Sequence, residues 1–492
     1  LLKPNRIRIG QTFILISVIA IIAGGLVRYV QAPSFWLDEA FVAVSLRNPS
    51  KSIFERLEYA QYFPRIYLSS ISVLRDLFGY KVWVLRLLPF ISFIVGTCFW
   101  GKVLAKRSRH FWLLGLISGG LLIGANYWLD QAIQLKQYTF DVMLALIPFL
   151  VEDSLFNESF GEGKHKAILV MLAVPCLLSY TYPMALGARI LGCYLYYGRH
   201  KGWRIKSSPI FTLALTIAIA MGCLWETDLQ FNLKESASYF AYWNECILSS
   251  QLPQDLGGAL RLFAKFVWGW HGRMPLVTTG MVPLQTLGIY WVISRWKKGS
   301  TSDDESCWGS RSVGSLVLLV EVIASSIFVN YPICAGRVTL FAQIHTQILA
   351  IEGALFILTF WNKRKVVTTC LLVFVVVLLF HSSRQYTRYV LAEPDENINP
   401  MLPLIERSIA NTIWVHSCSV AQVRSLPAPL PVENILLDTK EKLPERGQKV
   451  WVLWTHLGSE ACKKQFDKLR ERAISWEVVH EGPGRGLALA QF

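Results

Sequence analysis

The sequence is short of acid. Its 34 Asp and Glu residues stand against 49 Lys and Arg, a formal net charge of +15. An excess of this kind can mark a nucleic-acid partner. Here the basic residues lie in short clusters between hydrophobic blocks, where the positive-inside rule places them. The charge is therefore assigned to membrane topology, and no nucleic-acid partner is expected. The ten cysteines form no C-x-x-C pair, and Cys98, Cys176, Cys193, Cys223 and Cys370 lie inside apolar segments. They read as small core hydrophobes, so neither a disulfide nor a thiolate zinc site is expected. No G-x-G-x-x-G or P-loop signature occurs in the more polar C-terminal tail, which argues against a nucleotide site there. No small-residue cleavage site follows the first apolar block, which is expected to be a retained span.

What the chain does have is long hydrophobic runs, at 53% apolar residues overall. Thr12–Val30, Ser312–Val329 and Val366–Phe380 are nearly free of charge and close to the ~20 residues that cross a bilayer as helix. Spans are expected at 11–30, 82–104, 111–129, 139–151, two within 167–198, 208–225, 277–294, 312–330, 338–361 and 366–382, about eleven in all. Lys3, Arg6 and Arg8 put the N-terminus in the cytoplasm, and Lys106, Arg107 and Arg109 close the second span on that side. Two long segments, about 31–81 and 226–276, then fall outside. Within the first, Arg65, Ser69, Ser72 and Asp76 share one face of a helix over 64–78. A central charge is costly to insert, by roughly 2.5–3.5 kcal/mol, so this helix is expected in the interface plane. The pattern predicts a transmembrane domain over 1–383 and a small extracytoplasmic α/β domain over 384–492. The second has strands at 449–454, 475–480 and 486–491 and a helix at 459–472. Nothing in that domain reads as catalytic.

Three outer loops carry candidate chemistry. The strongest is Ser34-Phe35-Trp36-Leu37-Asp38-Glu39-Ala40, just beyond the first span. Adjacent carboxylates there fit a helix start, favoured by the helix dipole. They fit equally a general base at the outer interface, taking the proton of an attacking hydroxyl. The second loop, Asp130–Asp141, falls on the same side. In it Lys136 can snorkel and Tyr138 can join an aromatic belt, while Asp141, at the mouth of an apolar span, is a site candidate. The third, Tyr331-Pro332-Ile333-Cys334-Ala335-Gly336-Arg337, offers a guanidinium suited to a phosphate oxyanion. Together they suit a charged lipid head group.

These blocks occur in an order that resembles the GT-C fold glycosyltransferases, the class of protein O-mannosyltransferases and lipid A aminoarabinose transferases. The Asp38-Glu39 motif resembles the family's first external loop. Tyr62–Tyr67 with Leu77-Phe78-Gly79 resembles its juxtamembrane helix, and Leu85–Pro89 the continuation of that helix. Gln134–Asp141 resembles the block before the fourth span, and Tyr331–Phe341 the late turn. The likeness covers about 10–380, and the tail resembles the small external domain of many members. Where relatives often have His or Lys before the proline, this chain has Phe63, so a phosphate contact is expected from Arg65 instead. The resemblance implies inverting transfer of one sugar from a polyprenyl-phosphate donor to a protein, lipid or glycan acceptor at the plasma (inner) membrane. It implies Asp38 as general base, and Glu39 as positioning the acceptor or the base. Arg65, Lys136, Tyr138, Asp141, Tyr331 and Arg337 would form the lipid-phosphate site. No metal is required, although a divalent cation on Asp38 with Asp130 or Asp141 is compatible with the family. Two other readings are a lipid-linked glycan ligase or polymerase, using His271 and Arg273 in the second external segment, and a lipid or sugar transporter.

Overall fold

The computed structural model describes residues 4–31, 33–47, 57, 63–108, 111–151, 153, 167, 171–201, 207–226, 244–252, 255–268, 275–298, 303–333, 337–361, 365–392, 396–406, 410, 412–428, 430, 434–437, 445–455, 460–482 and 485–492. These are mostly helical, with one sheet near the C-terminus. Among the described residues five helices are long and apolar enough to cross a membrane: Arg8–Gln31, Leu87–Ser108, Trp308–Phe328, Leu340–Phe360 and Val366–Leu391. Three shorter apolar helices, Trp112–Ile123, Tyr138–Leu150 and Ile210–Leu224, join them. The chain divides into two compact units. One comprises Leu1–Val27, Tyr62–Tyr67 and Pro89–Val390, and the other Arg28–Gln61, Leu68–Leu88 and Leu391–Phe492. The division expected at 383/384 therefore moves. The last long helix, Lys365–Leu391, runs past it, and most of the first external segment groups with the tail.

The first unit is a helix bundle whose close crossings are made by small residues. The helices Pro275–Lys298 and Leu340–Trp361 meet at Gly288 and Gly353. A Cβ on either glycine would lie 1.8 Å from a carbonyl oxygen of the other helix, Leu349 O or Leu284 O. Backbones can approach this closely only where neither side has a side chain. Two buried ion pairs also tie this bundle. Arg107 donates to Glu352 at 2.6 Å, and Trp308 and Ser312 donate to the same carboxylate. Arg189 pairs with Asp153, which also accepts from Tyr197 and Ser310.

Several expected spans begin or end elsewhere, each for a local reason. The run over 82–104 breaks at Arg86, between Val82–Leu85 and Leu87–Ser108, because the buried Arg86 faces a carboxylate (below). The run over 111–129 stops at Ile123, with Gly124 as C-cap, and resumes as the short helix Asn126–Gln131. Of the two spans expected in 167–198, the second corresponds to the helix Tyr182–Lys201, with Pro183 in its first turn where a missing N–H is harmless. Ahead of it the described residues are helical at 167 and 171–173 and then make a 3₁₀ turn, Val174–Leu177. Arg65–Phe78 is a 14-residue helix, shorter than a span, and Gly79 ends it in the left-handed conformation (φ 84°) with its N–H 2.7 Å from Arg75 O.

In the second unit a five-stranded sheet has the order β2-β1-β3-β5-β4. Its strands are β1 Thr412–Val415, β2 Asn434–Leu437, β3 Lys449–Thr455, β4 Ser475–Gly482 and β5 Arg485–Gln491. β1 is parallel to β2 and β3, while β5 runs antiparallel between β3 and β4. Side-chain alternation along β1 and β3 builds a core on each face. Ile413, Val415, Trp451 and Leu453 pack with Met401, Ile405 and Val423 on one side. Trp414, Val452 and Trp454 pack with Phe466 and Leu469 of the helix Glu460–Arg470 on the other. Strands β1 and β2 are additions to the sequence expectation. The cysteine expectation is corrected as well: Cys246 and Cys462 are disulfide-bonded, whereas Cys98, Cys176 and Cys370 are free thiols.

Candidate functional site

The candidate residues fall into two clusters, one in each unit. In the second unit, Asp38 and Glu39 occupy the first turn of the helix Leu37–Arg47. Trp36 O accepts the first helical N–H groups, from Glu39 at 3.0 Å and Ala40 at 2.9 Å. The Glu39 carboxylate reaches back to Trp36 N at 3.3 Å, which is the reciprocal half of a capping box. The helix start that the sequence offered as the plain reading is thus present.

The two acids differ in burial. Glu39 is fully buried and gripped by Arg86 in a two-pronged pair, Nε–Oε1 2.9 Å and Nη2–Oε2 2.6 Å. The same guanidinium donates to Pro33 O (2.6 Å) and Ser34 O (3.3 Å) and lies over the Phe35 ring. Glu39 is therefore held against the protein interior by Arg86. Asp38, one position earlier, is only half-buried. The far end of this helix is held too. Arg75 donates to Leu46 O at 2.5 Å, Arg47 to Arg424 O at 2.5 Å, and the Tyr80 hydroxyl lies 3.0 Å from both Ala43 O and Ser425 O.

Arg86 lies inside the Leu85–Pro89 block, for which the sequence suggested no site residue. A signal was available: an arginine inside an apolar run demands a counter-charge, and the Asp38-Glu39 pair falls on the same outer side.

In the first unit, Arg65, Lys136 and Asp141 are all buried. Tyr67, on the same helix as Arg65, sends its hydroxyl to Lys136 O at 3.3 Å and packs on Phe63 and Phe140. Burial, and then the Asp141 carboxylate, push the Tyr67 phenol well above its ordinary range, so at neutral pH it is a proton donor. Asp141 accepts from Ser179 at 2.5 Å, and Ser179 Oγ in turn accepts the Tyr182 N–H at 3.2 Å. Tyr180 closes the group with a 3.4 Å contact to Phe63 O. Tyr138 is half-buried and opens the helix Tyr138–Leu150.

Asp130 is occupied differently from the expectation of a metal ligand. It accepts from Tyr389, from Gln134 at 2.9 Å and from Gln131 at 3.2 Å, which fastens its loop to the last long helix. Among the described residues no group of three or more His, Cys, Asp or Glu is arranged to hold a metal ion. Tyr331 donates to Val338 O at 2.7 Å, folding its turn onto itself. Arg337 begins the 3₁₀ turn Arg337–Thr339, and its side chain, like His271 and Arg273, lies outside the described residues. The structure thus brings the Lys136 backbone oxygen and Asp141 to Tyr67, leaves Arg65 buried two residues earlier on the same helix, holds Asp38 and Glu39 on a separately braced helix, and ties Asp130 to the last long helix.

No protein-family profile matches the chain, and no curated protein matches it. Among solved structures it is similar to ArnT from Cupriavidus metallidurans in the apo state, at 13% identity and a TM-score of 0.38 over 96% of this chain and 97% of that one. It is similar also to ArnT from the same organism bound to undecaprenyl phosphate, at 14% identity and a TM-score of 0.44 over 97% of each chain. The likeness runs end to end but is loose, and the chain's own residues carry the functional argument.

Proposed function

We propose that this protein is a GT-C glycosyltransferase of about eleven spans that moves one sugar from a polyprenyl-phosphate donor to an acceptor at the outer face of a membrane, with inversion. Asp38 is the general base: it takes the proton of the acceptor hydroxyl as that oxygen attacks the anomeric carbon. The glycosidic bond to phosphate breaks on the opposite side, and the lipid phosphate leaves with the electron pair. Arg65 and Lys136 are assigned to that phosphate's growing charge, with Arg337 as a third cation, Tyr138 and Tyr331 lining the donor, and Asp141 orienting the group through Ser179. The acceptor is a protein, lipid or glycan hydroxyl.

The observation that carries the reading is the division of the Asp-Glu pair. Glu39 is neutralised and locked by Arg86, while its neighbour Asp38 is half-buried at the start of a helix braced at both ends. A structural helix start has use for one capping acid; a second acid beside it, held on rigid backbone, is what a base requires. Outer-face placement has its own support. Cys246 and Cys462 are disulfide-bonded, and both lie in segments that charge parity assigns to the outside. Donors reach that face only on a lipid, since nucleotide sugars are cytoplasmic.

The test is transfer of radiolabelled sugar from a panel of short-chain polyprenyl-phosphate-sugars in proteoliposomes. Wild type is expected to turn over at least one donor. Asp38→Asn is expected to lose about 10²–10⁴-fold in rate, the usual contribution of a positioned base, while still binding donor. Equal turnover by the two proteins removes the assignment.

A further inference from the structure

We propose that Glu396 and Gln422 form a positioning pair through which the C-terminal sheet sets the first turn of the Asp38 helix; the proposal rests on Asp38 acting as the base. A helix start leaves its first N–H groups without partners of its own. Glu39 takes one of them, Trp36 N–H. The next, Leu37 N–H, is taken from 359 residues away by the Glu396 carboxylate, at 3.2 Å. Glu396 is buried and sits at φ 58°, a left-handed backbone that only a few per cent of non-glycine residues adopt. The residues beside it hold the approach to the helix. Asn397 Oδ1 accepts Ser34 N–H at 2.9 Å, and Ile398 N–H donates to Ser34 Oγ at 2.8 Å.

Behind Glu396 stands Gln422, 1% exposed, whose Nε2 donates to the same carboxylate oxygen at 3.2 Å. The other end of that amide accepts the Thr455 hydroxyl, and Thr455 is the last residue of β3, with its own N–H 2.8 Å from Ser419 Oγ. A directed chain of hydrogen bonds therefore runs from the sheet to the residue preceding Asp38. The polarity of the Gln422 amide is fixed by Glu396: an ionised carboxylate only accepts, so the amide nitrogen faces it and the amide oxygen takes the Thr455 hydroxyl. The tail, which reads as inert in sequence, thereby becomes the support that fixes where Asp38 stands.

This polarity gives an isosteric test in the full-length protein in proteoliposomes. Gln422→Glu sets carboxylate against carboxylate at Glu396. The expected result is a kcat lower by about tenfold or more, with KM for the polyprenyl-phosphate-sugar within about twofold, since the loss falls on geometry reached only in the transition state. Hydrogen exchange of a peptide spanning 35–46 is expected to quicken, with the β3 peptide 449–455 unchanged. Glu396→Gln keeps an uncharged oxygen that can still accept from both Leu37 N–H and Gln422 Nε2, and is expected to keep kcat and slow exchange near the wild-type values. Glu396→Ala, which removes the acceptor without adding charge, should repeat the Gln422→Glu defect and serves if that variant does not accumulate. Wild-type kcat and exchange in both Gln422→Glu and Glu396→Ala, a defect in Glu396→Gln as large as theirs, or faster exchange throughout the sheet would each overturn the proposal. Failure of the underlying reading shows separately, as no wild-type turnover or full activity in Asp38→Asn. In that event exchange over 35–46 still decides whether the tail holds the helix.

Discussion

Arg86→Met should be the most damaging single change at the Asp38 helix. The substitution keeps an unbranched side chain of similar length but leaves the Glu39 carboxylate fully buried without its cation. It also strips donors from Pro33 O and Ser34 O. Removing one partner of a buried pair costs about 3–5 kcal/mol, because the remaining charge is uncompensated. Each orphaned carbonyl adds up to about 1–3 kcal/mol where water cannot reach it, and these terms overlap. Taking about 4 kcal/mol as the net local cost, opening of the segment becomes roughly 10³-fold more frequent, at 1.4 kcal/mol per decade. Hydrogen exchange over 35–46 measures this directly, and sugar transfer should fall with it. Glu39→Gln combined with Arg86→Met removes the stranded charge and should return much of the loss, leaving about 1–2 kcal/mol for the missing hydrogen bonds. The reasoning is refuted if single and double variants exchange alike, since the penalty would then not come from an unpaired buried carboxylate.

Three further outcomes follow from the geometry. Tyr67→Phe deletes the hydroxyl over Lys136 O and should cost about 0.5–1.5 kcal/mol, read as a KM for donor raised about two- to tenfold with little change in kcat; a kcat effect alone would contradict the assignment of this cluster to the donor. Gly353→Leu forces a side chain into Leu284 O, where even a Cβ would lie at 1.8 Å, so folded yield after detergent extraction should collapse, whereas Gly447→Leu, with nothing within 4 Å of its Cβ, serves as control and should be extracted nearly as well as wild type despite its φ of 88°. In intact cells or spheroplasts, the thiols of Cys246 and Cys462 should react with a membrane-impermeant maleimide only after treatment with an impermeant phosphine; labelling that needs permeabilised membranes would put both on the reducing side and overturn the topology.

The sheet and its helix were legible because period-two and period-3.6 patterns differ over even a few residues. The expected strand at 449–454 is β3, and those at 475–480 and 486–491 lie within β4 and β5. β1, only four residues long, was too short to give such a signal. Hydropathy located the long spans but not their breaks, which answer to contacts far away in sequence. Arg86 interrupts its run in order to meet Glu39, 47 residues earlier. Asp38 and Glu39 could be named from sequence, but their division of labour could not, because burial depends on which side of the helix meets Arg86. Asp130 shows the converse. An acid in an outer loop looks available on paper, yet Tyr389, 259 residues on, has claimed it. The disulfide-bonded Cys246 and Cys462 escaped notice because neither belongs to a short motif such as C-x-x-C.

Adjacent carboxylates in one motif invite a single joint role, such as a shared proton or a shared metal. Helical geometry argues against it. Successive residues project about 100° apart around the axis, so in the first turn one acid can face the interior while the next faces out. Glu39 uses the inward direction to meet Arg86 and to cap Trp36 N–H. Asp38 is left on the accessible side, one residue beyond the N–H held by Glu396. The order Asp-Glu then has a consequence: exchanging the two residues would conserve charge, composition and capping propensity, yet would place the shorter side chain toward Arg86 and the longer one toward the acceptor. Asp is one methylene shorter than Glu, too short to make both the two-pronged pair and the capping contact from the same backbone position. The motif is thus one helix start carrying two chemically separate instructions, an anchor and a base, and the anchor must be the longer residue.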